Sequence, residues 1–214
     1  SSAALIEVRL PFTAAASATP VDEFGHGTHV AGLIRGNGAM SYGQYTGVAP
    51  AARIIGLRAL DRDGKGYTSD VIRAVQYAVD NRMTLGVDIL NLSLGHPIWE
   101  PASSDPLVGA VERASQLGLV VIIAAGNNGT KQDGTTGFGG INSPANSPSA
   151  ITVGAVDDKG TLTRSDDSVA TFSSRGPTWY DGFAKPDVVA FGRRQVAVRQ
   201  QDKCSWQIDC KTDE

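Results

Sequence analysis

From residue 47 onward the chain alternates short apolar runs with stretches of helical period, and this alternation restricts the fold more than any other feature. Arg53 to Leu60 is apolar, and Asp61 to Gly66 is a charged loop punctuated by glycine. Val71, Ile72, Val75 and Val79 then recur at helical spacing, with Ser69 placed to cap the helix. Val87 to Leu92 reads as a buried strand, and Leu107, Val108, Val111, Ala114 and Leu117 give the next helix one apolar face. Leu119 to Ala125, Ile151 to Val156 and Val188 to Ala190 read as further strands. Such a β-α-β-α-β succession joins parallel strands by crossovers whose helices cover the sheet. A three-layer α/β fold, a parallel sheet flanked by helices, is therefore predicted.

The 214 residues suit one sizeable core. A net charge of -3, with no basic cluster interleaved with aromatics, argues against a nucleic-acid partner. The longest apolar run, Leu119 to Ala125, is far short of the ~20 residues that span a bilayer. No membrane span is expected, and the sequence sets no oligomeric state. Cys204 and Cys210 admit a local disulfide, two free thiols or a chance spacing, and fix no compartment.

The chemistry starts at Gly25-His26-Gly27-Thr28-His29-Val30-Ala31-Gly32. Glycines on both sides keep side chains away from the His26 imidazole, and Val30, Ala31, Leu33 and Ile34 give the following helix a small apolar face that can pack under a sheet. A bare histidine in such a turn is more often structural than catalytic. His26 and His29 lack the glutamate of a His-Glu-x-x-His zinc site and have no third ligand, so no metal is assigned to them. In open parallel sheets ligands collect beyond the carboxyl ends of the strands. Ser93-Leu94-Gly95 and Gly126-Asn127-Asn128-Gly129 occupy such places. Asn127 can aim its amide at a developing oxyanion, or can serve only to accept a left-handed turn conformation.

Together these segments resemble the subtilisin-like serine proteases, over roughly residues 21 to 192. Gly47-Val48-Ala49-Pro50, Ile89-Leu90-Asn91-Leu92-Ser93-Leu94-Gly95, Ala124-Ala125-Gly126-Asn127, Ser143-Pro144-Ala145-Asn146, Thr152-Val153-Gly154-Ala155, Phe172-Ser173-Ser174-Arg175-Gly176-Pro177 and Lys185-Pro186-Asp187-Val188-Val189-Ala190 are similar to family segments, in the family's order. The resemblance implies a serine endopeptidase acting on extended polypeptides through an acyl-enzyme. It makes His26 the general base and Asn127 the side-chain donor of the oxyanion hole. It also makes Ser93, Leu94 and Gly95 one wall of the specificity pocket, and Gly64, Lys65 and Gly66 a second edge for the substrate, with Tyr67 beside the pocket. Ala124, Ala125, Gly126 and the Ser143 to Asn146 loop would complete the pocket. Small residues there imply room for a large apolar side chain and broad specificity. No cofactor is required; the resemblance allows calcium without assigning a site, and favours secretion.

The family's aspartate motif, Asp-Thr-Gly or Asp-Ser-Gly, has no match in Ser1 to Gly25, and its Gly-Thr-Ser-Met-Ala motif has none after Ala190. Asp22 reads as a solvated loop acid, His96 as a polar residue at the rim of the cleft, and Asp61-Arg62-Asp63-Gly64 as a solvated turn rather than a calcium loop. Ser205 has none of the nucleophile's setting. Residues 1–20 are expected to be an unassigned segment, 21–192 a partial peptidase domain truncated at both ends, and 193–214 a divergent polar tail. A domain inactive as it stands follows, the alternative being a non-catalytic remnant or peptide-binding module. Its strands should expose apolar surface, because the tail offers few large apolar residues.

Overall fold

The computed structural model describes residues 6–11 and 21–198. The chain forms two compact units: residues 1–74 with 194–214, and residues 75–193.

The first unit contains β1 (Ile6–Pro11), α1 (His26–Arg35), β2 (Ile54–Arg58) and the start of α2 (Thr68–Asp80), within which the division falls. β1 and β2 pair in parallel, Ile6 opposite Ile54 and Leu10 opposite Leu57. β1 lies in the stretch the sequence left unassigned. Its signal is the alternation of Ile6, Val8 and Leu10 with Glu7 and Arg9, spread over only six residues. α2 begins one residue before Ser69, which therefore sits inside the first turn and does not cap it; the Tyr67 carbonyl accepts from the N–H groups of Asp70 and Val71. In α1 the fully buried residue is Gly32, whereas Val30, Ala31, Leu33 and Ile34 are half-buried. A side chain at Gly32 would meet Val198 Cγ2 at 2.5 Å and the Val198 backbone N at 2.9 Å, so α1 packs closely on residues 197–198.

The second unit contains α3 (Arg82–Leu85), β3 (Ile89–Leu92), α4 (Pro106–Gln116), β4 (Val120–Ala124), β5 (Ile151–Asp157), β6 (Ser168–Val169) and β7 (Val188–Phe191). β3, β4, β5 and β7 run parallel in that spatial order, and β6 adds antiparallel at the end of β5. Four of the expected strands are thus present. The short elements α3 and β6 carry too few residues to show a period.

Asp105 starts α4 by accepting from the N–H groups of Leu107 and Val108, with Pro106 fixing the first helical turn. The apolar face predicted for this helix is buried at Leu107, Val108, Val111 and Ala114 and lies against β4. Leu117, expected on the same face, follows the end of the helix and is exposed. Register places Ile89, Val120, Ile151 and Val188 on one face of the sheet, because side chains alternate along each strand. All four are exposed, Ile89 at 57%. At the far edge Val156, Val169, Val189 and Phe191 line an open groove of about 560 Å³. Cys204, Cys210 and Ser205 lie outside the described residues.

Candidate functional site

The residues singled out from the sequence fall into two groups. His26 and Gly64 to Gly66 belong to the first unit, and Ser93 to Gly95, Ala124 to Asn127 and Ser143 to Asn146 to the second.

In the first group, His26 is the opening residue of α1 and Gly25 takes a left-handed conformation (φ 94°) immediately before it. A side chain at Gly25 would be strained in that conformation, which accounts for the glycine. Asp22 fixes the turn. Its carboxylate accepts from the Gly25 N–H at 2.8 Å, the Thr28 N–H at 2.7 Å and the Thr28 hydroxyl at 2.8 Å. Asp22 is therefore not the solvated loop acid expected from the sequence. It is half-buried, because only a carboxylate set back in the turn can face donors three and six positions ahead of it. Burial opposes its ionisation, but the bonds from Gly25 and Thr28, with the nearby His26, hold its pKa below the ordinary carboxylate value.

The 61–66 loop stands beside this turn. Gly64 is left-handed (φ 72°), and the Phe24 ring fills the place its side chain would take. Asp61 Oδ1 accepts from the N–H groups of Asp63 and Lys65, and the Asp61 N–H donates to the Lys65 carbonyl at 2.7 Å. The solvated turn is thus an Asx-type turn closed by its own aspartate, whose pKa is lowered by the Lys65 and Asp63 amides. Both main-chain groups of Lys65 are bonded to Asp61, and the Gly64 N–H donates to the Asp61 carbonyl at 3.2 Å, so this edge is tied into its own turn at both residues.

In the second group, the carboxyl ends of β3 and β4 meet two loops. His96 and Ser143 exchange main-chain bonds (3.0 and 2.8 Å), so the segment after β3 is laced to the Ser143 to Asn146 loop. His96 is half-buried, its Nδ1 against the Pro97 carbonyl at 2.7 Å. Ala125 is buried and donates its N–H to the Val153 carbonyl, whereas Ala124 is exposed. Gly126 is left-handed (φ 105°) and Asn127 is not among the residues of positive φ. The turn thus draws its unusual conformation from Gly126, and Asn127 is free of the conformational role that the sequence left open for it. Asn127 is exposed, and among the described residues none bonds its amide.

Asp105, which caps α4, and Glu112, within it, hold the Ser143 loop. Asp105 Oδ2 accepts from the Ser143 hydroxyl at 2.6 Å; Glu112 accepts from the Ser147 hydroxyl, the Ser149 N–H and the Ser149 hydroxyl. Burial opposes ionisation of Glu112, but these bonds and the positive Lys185 keep its pKa low. Asn146, within the same loop, is fully buried, and its amide has no partner among the described residues.

The two wall glycines have close neighbours. A side chain at Gly126 would come within 2.9 Å of Asn142 Nδ2 and of Ser174 Oγ, and one at Gly95 within 2.7 Å of the Ser143 carbonyl oxygen and 3.2 Å of Asn142 Cβ. Sequence reasoning passed over Asn142, Asn128, Asp105 and Glu112. Only Asp105 announced itself, as an N-cap residue followed by proline.

Comparison with known proteins matches residues 13–212 to the model of the subtilase family, peptidase S8. The chain is 44% identical over 185 residues to the serine protease AprX of Bacillus subtilis (strain 168), covering 84% of this chain and 40% of that protein. It is 40% identical over 162 residues to a thermophilic serine proteinase of Bacillus sp. (strain AK1), covering 76% of this chain and 34% of that protein. The chain thus spans about two fifths or less of these relatives' length. Among solved structures it resembles Sphericase, with a TM-score of 0.71 and 28% identity over 88% of this chain and 60% of the other. A psychrophilic protease, S41, gives a TM-score of 0.66 at 33% identity, over 82% of this chain and 54% of the other.

Proposed function

The chain belongs to the subtilase family of serine proteases, and on that premise we propose that it carries the base and substrate-binding half of a peptide-hydrolysing site. In this reading His26 is the general base and Asn127 the amide that stabilises the tetrahedral oxyanion. Gly64 to Gly66 in the first unit and Ser93 to Gly95 in the second are each read as an edge to which an extended polypeptide adds as a strand through main-chain hydrogen bonds. The observation that carries the reading is the division of labour at Gly126 and Asn127. Gly126 supplies the turn, so Asn127 is available for chemistry.

Within the 214 residues no segment matches the family's nucleophile or orienting-acid motif, and Asp22 is engaged by Gly25 and Thr28. The chain by itself is accordingly read as binding peptide without cleaving it. No calcium is assigned to any residue; secretion belongs to the same reading. Among the described residues no helix is long and apolar enough to cross a membrane.

A fluorophosphonate probe, a fluorogenic peptide and a fluorescein-labelled decapeptide separate the outcomes. The 214-residue chain should bind the decapeptide, remain unlabelled and give no turnover. Stoichiometric labelling would reveal a reactive serine and overturn the inactive reading, and absence of peptide binding would overturn the cleft.

A further inference from the structure

We propose that the loop of residues 36–47, which follows the end of α1, docks the protein on a lipid bilayer by seating Met40 and Tyr42 among the headgroups. From Gly36 to Ala52 the chain carries no Asp, Glu, Lys or Arg. The nearest charges on either side are Arg35 and Arg53, both of the sign that lipid phosphate attracts. Within this uncharged stretch Met40 is 87% exposed and Tyr42 is wholly exposed, with Tyr45 exposed to a lesser degree.

The backbone closes this loop on itself. The Gly47 N–H donates to the Gly36 carbonyl at 2.7 Å, and the Val48 and Ala49 N–H groups donate to the Leu33 and Ile34 carbonyls, so both ends are fixed to α1. Inside the loop the Gly38 carbonyl accepts from the Ser41 and Gly43 N–H groups. The Ser41 hydroxyl accepts from the Tyr45 N–H at 2.9 Å, and Asn37 Oδ1 accepts from the Ala39 N–H at 3.0 Å. A compact loop of this kind presents its side chains with little further ordering on binding. Tyr42 holds a left-handed backbone (φ 51°) that glycine would adopt at less cost. The loop thus keeps a bulky ring where its own stability favours none.

These features suit a bilayer better than a protein pocket. Main-chain groups bonded within the loop can approach an apolar medium without losing partners to it. Methionine supplies adaptable apolar surface, and tyrosine joins an apolar ring to a hydroxyl that stays at the headgroup level. No carboxylate between residues 36 and 52 is there for phosphate to repel. The net charge of -3 gives the chain no general attraction to anionic lipid, so the contact is chiefly apolar. His26 opens the helix from which the loop leaves, and the ten residues of α1 span about 15 Å. Docking would therefore hold the histidine turn near polypeptide segments at the membrane surface.

The test is flotation of the 214-residue chain with extruded phosphatidylcholine vesicles, at about 5 mM lipid, together with thermal melts. Wild type should float reversibly, with a partition constant below the ~10⁴ M⁻¹ of a single myristoyl chain. Binding should persist in about 0.5 M salt, because an apolar contact is not screened. Tyr42→Gly suits the left-handed backbone, so it should melt at or above the wild-type temperature while its partition constant falls about tenfold. Met40→Ser, at a position of ordinary backbone, should lower the constant several-fold with an unchanged melt. Val189→Lys, in the apolar groove of the second unit, should float as wild type does. Equal flotation of wild type, Y42G and M40S would overturn the proposal, as would a loss confined to V189K. Absence of flotation by wild type would also overturn it and assign the tip to a protein partner.

Discussion

The Ser143 hydroxyl donates to Asp105 Oδ2 across 2.6 Å, joining the loop at the pocket wall to the residue that caps α4. One buried carboxylate thereby serves a helix end and a loop at once. Asp105→Ala should lose both functions and destabilise by about 2–4 kcal/mol, the sum of a cap and a charge-assisted hydrogen bond. Ser143→Ala should cost about 1–3 kcal/mol. In urea unfolding the double variant should lose less than the two single changes added together; strict additivity would show that the pair is not coupled.

Asn146→Leu should leave stability unchanged or raise it. The residue is fully buried with an amide that has no partner among the described residues, and replacing an unpaired buried polar group by an apolar one of similar size removes a desolvation penalty of about 1–3 kcal/mol. A loss greater than about 2 kcal/mol in the same unfolding assay would mean that buried water satisfies the amide.

Asp157 predicts how the second unit responds to acid. Its carboxylate accepts from Lys159 Nζ at 2.8 Å and from Arg193 Nη1 at 2.5 Å. The Lys159 bond leads, burial opposes it, and the Lys159 amide and Arg193 assist, bringing the pKa down to about 2. A depressed folded-state value means that the contribution is complete above the unfolded value near 4 and is lost as pH falls from about 4 to about 2. Stability of Asp157→Asn relative to wild type should therefore be lowest above pH 4 and approach parity near pH 2. A difference that stays constant across that range would contradict the linkage.

Gly64→Ala should destabilise by about 1–3 kcal/mol, because the left-handed backbone and the Phe24 ring both oppose a side chain there. Phe24→Ala should relieve the steric part only, so the double variant should recover some of the loss. Full recovery in thermal melts would show that the backbone conformation is unstrained.

The exposed stripe Ile89, Val120, Ile151 and Val188, with the groove at Val189 and Phe191, should make the 214-residue chain bind a hydrophobic dye. Val189→Lys should weaken dye binding at the groove while leaving the melting profile near that of wild type. A dye-silent, monodisperse wild-type chain by light scattering would show that this surface is covered in solution.

Where a period runs for ten residues or more the sequence revealed the element, as in α4 with its buried Leu107, Val111 and Ala114. The strands β2, β3, β4, β5 and β7 were legible as short apolar runs between loops. β1 was not, because alternation over six residues is a weak signal, and its partner lies 48 positions along the chain for Ile6 and Ile54. At the site, glycine and histidine spacing marked the His26 turn, and the Gly126-Asn127 pair marked the end of β4. What the sequence could not show is which long-range side chain enters the space a glycine leaves. Beside Gly126 stand the side chains of Asn142 and Ser174, 16 and 48 residues further along the chain, and no local pattern pairs them with it. The placement of Asp22 was likewise hidden, since an acid near a turn reads the same whether it faces water or three donors.

The bonds from Gly25 and Thr28 to Asp22 span only three and six positions. Closing so short a loop carries little entropic penalty and does not wait for the β1–β2 pairing across the intervening crossover. The shape of the histidine turn is therefore written almost entirely in seven consecutive residues, 22–28. Such a locally encoded unit can persist through large changes elsewhere in a chain, in evolution as in folding, and keep the imidazole at the head of its helix while the machinery around it is rebuilt.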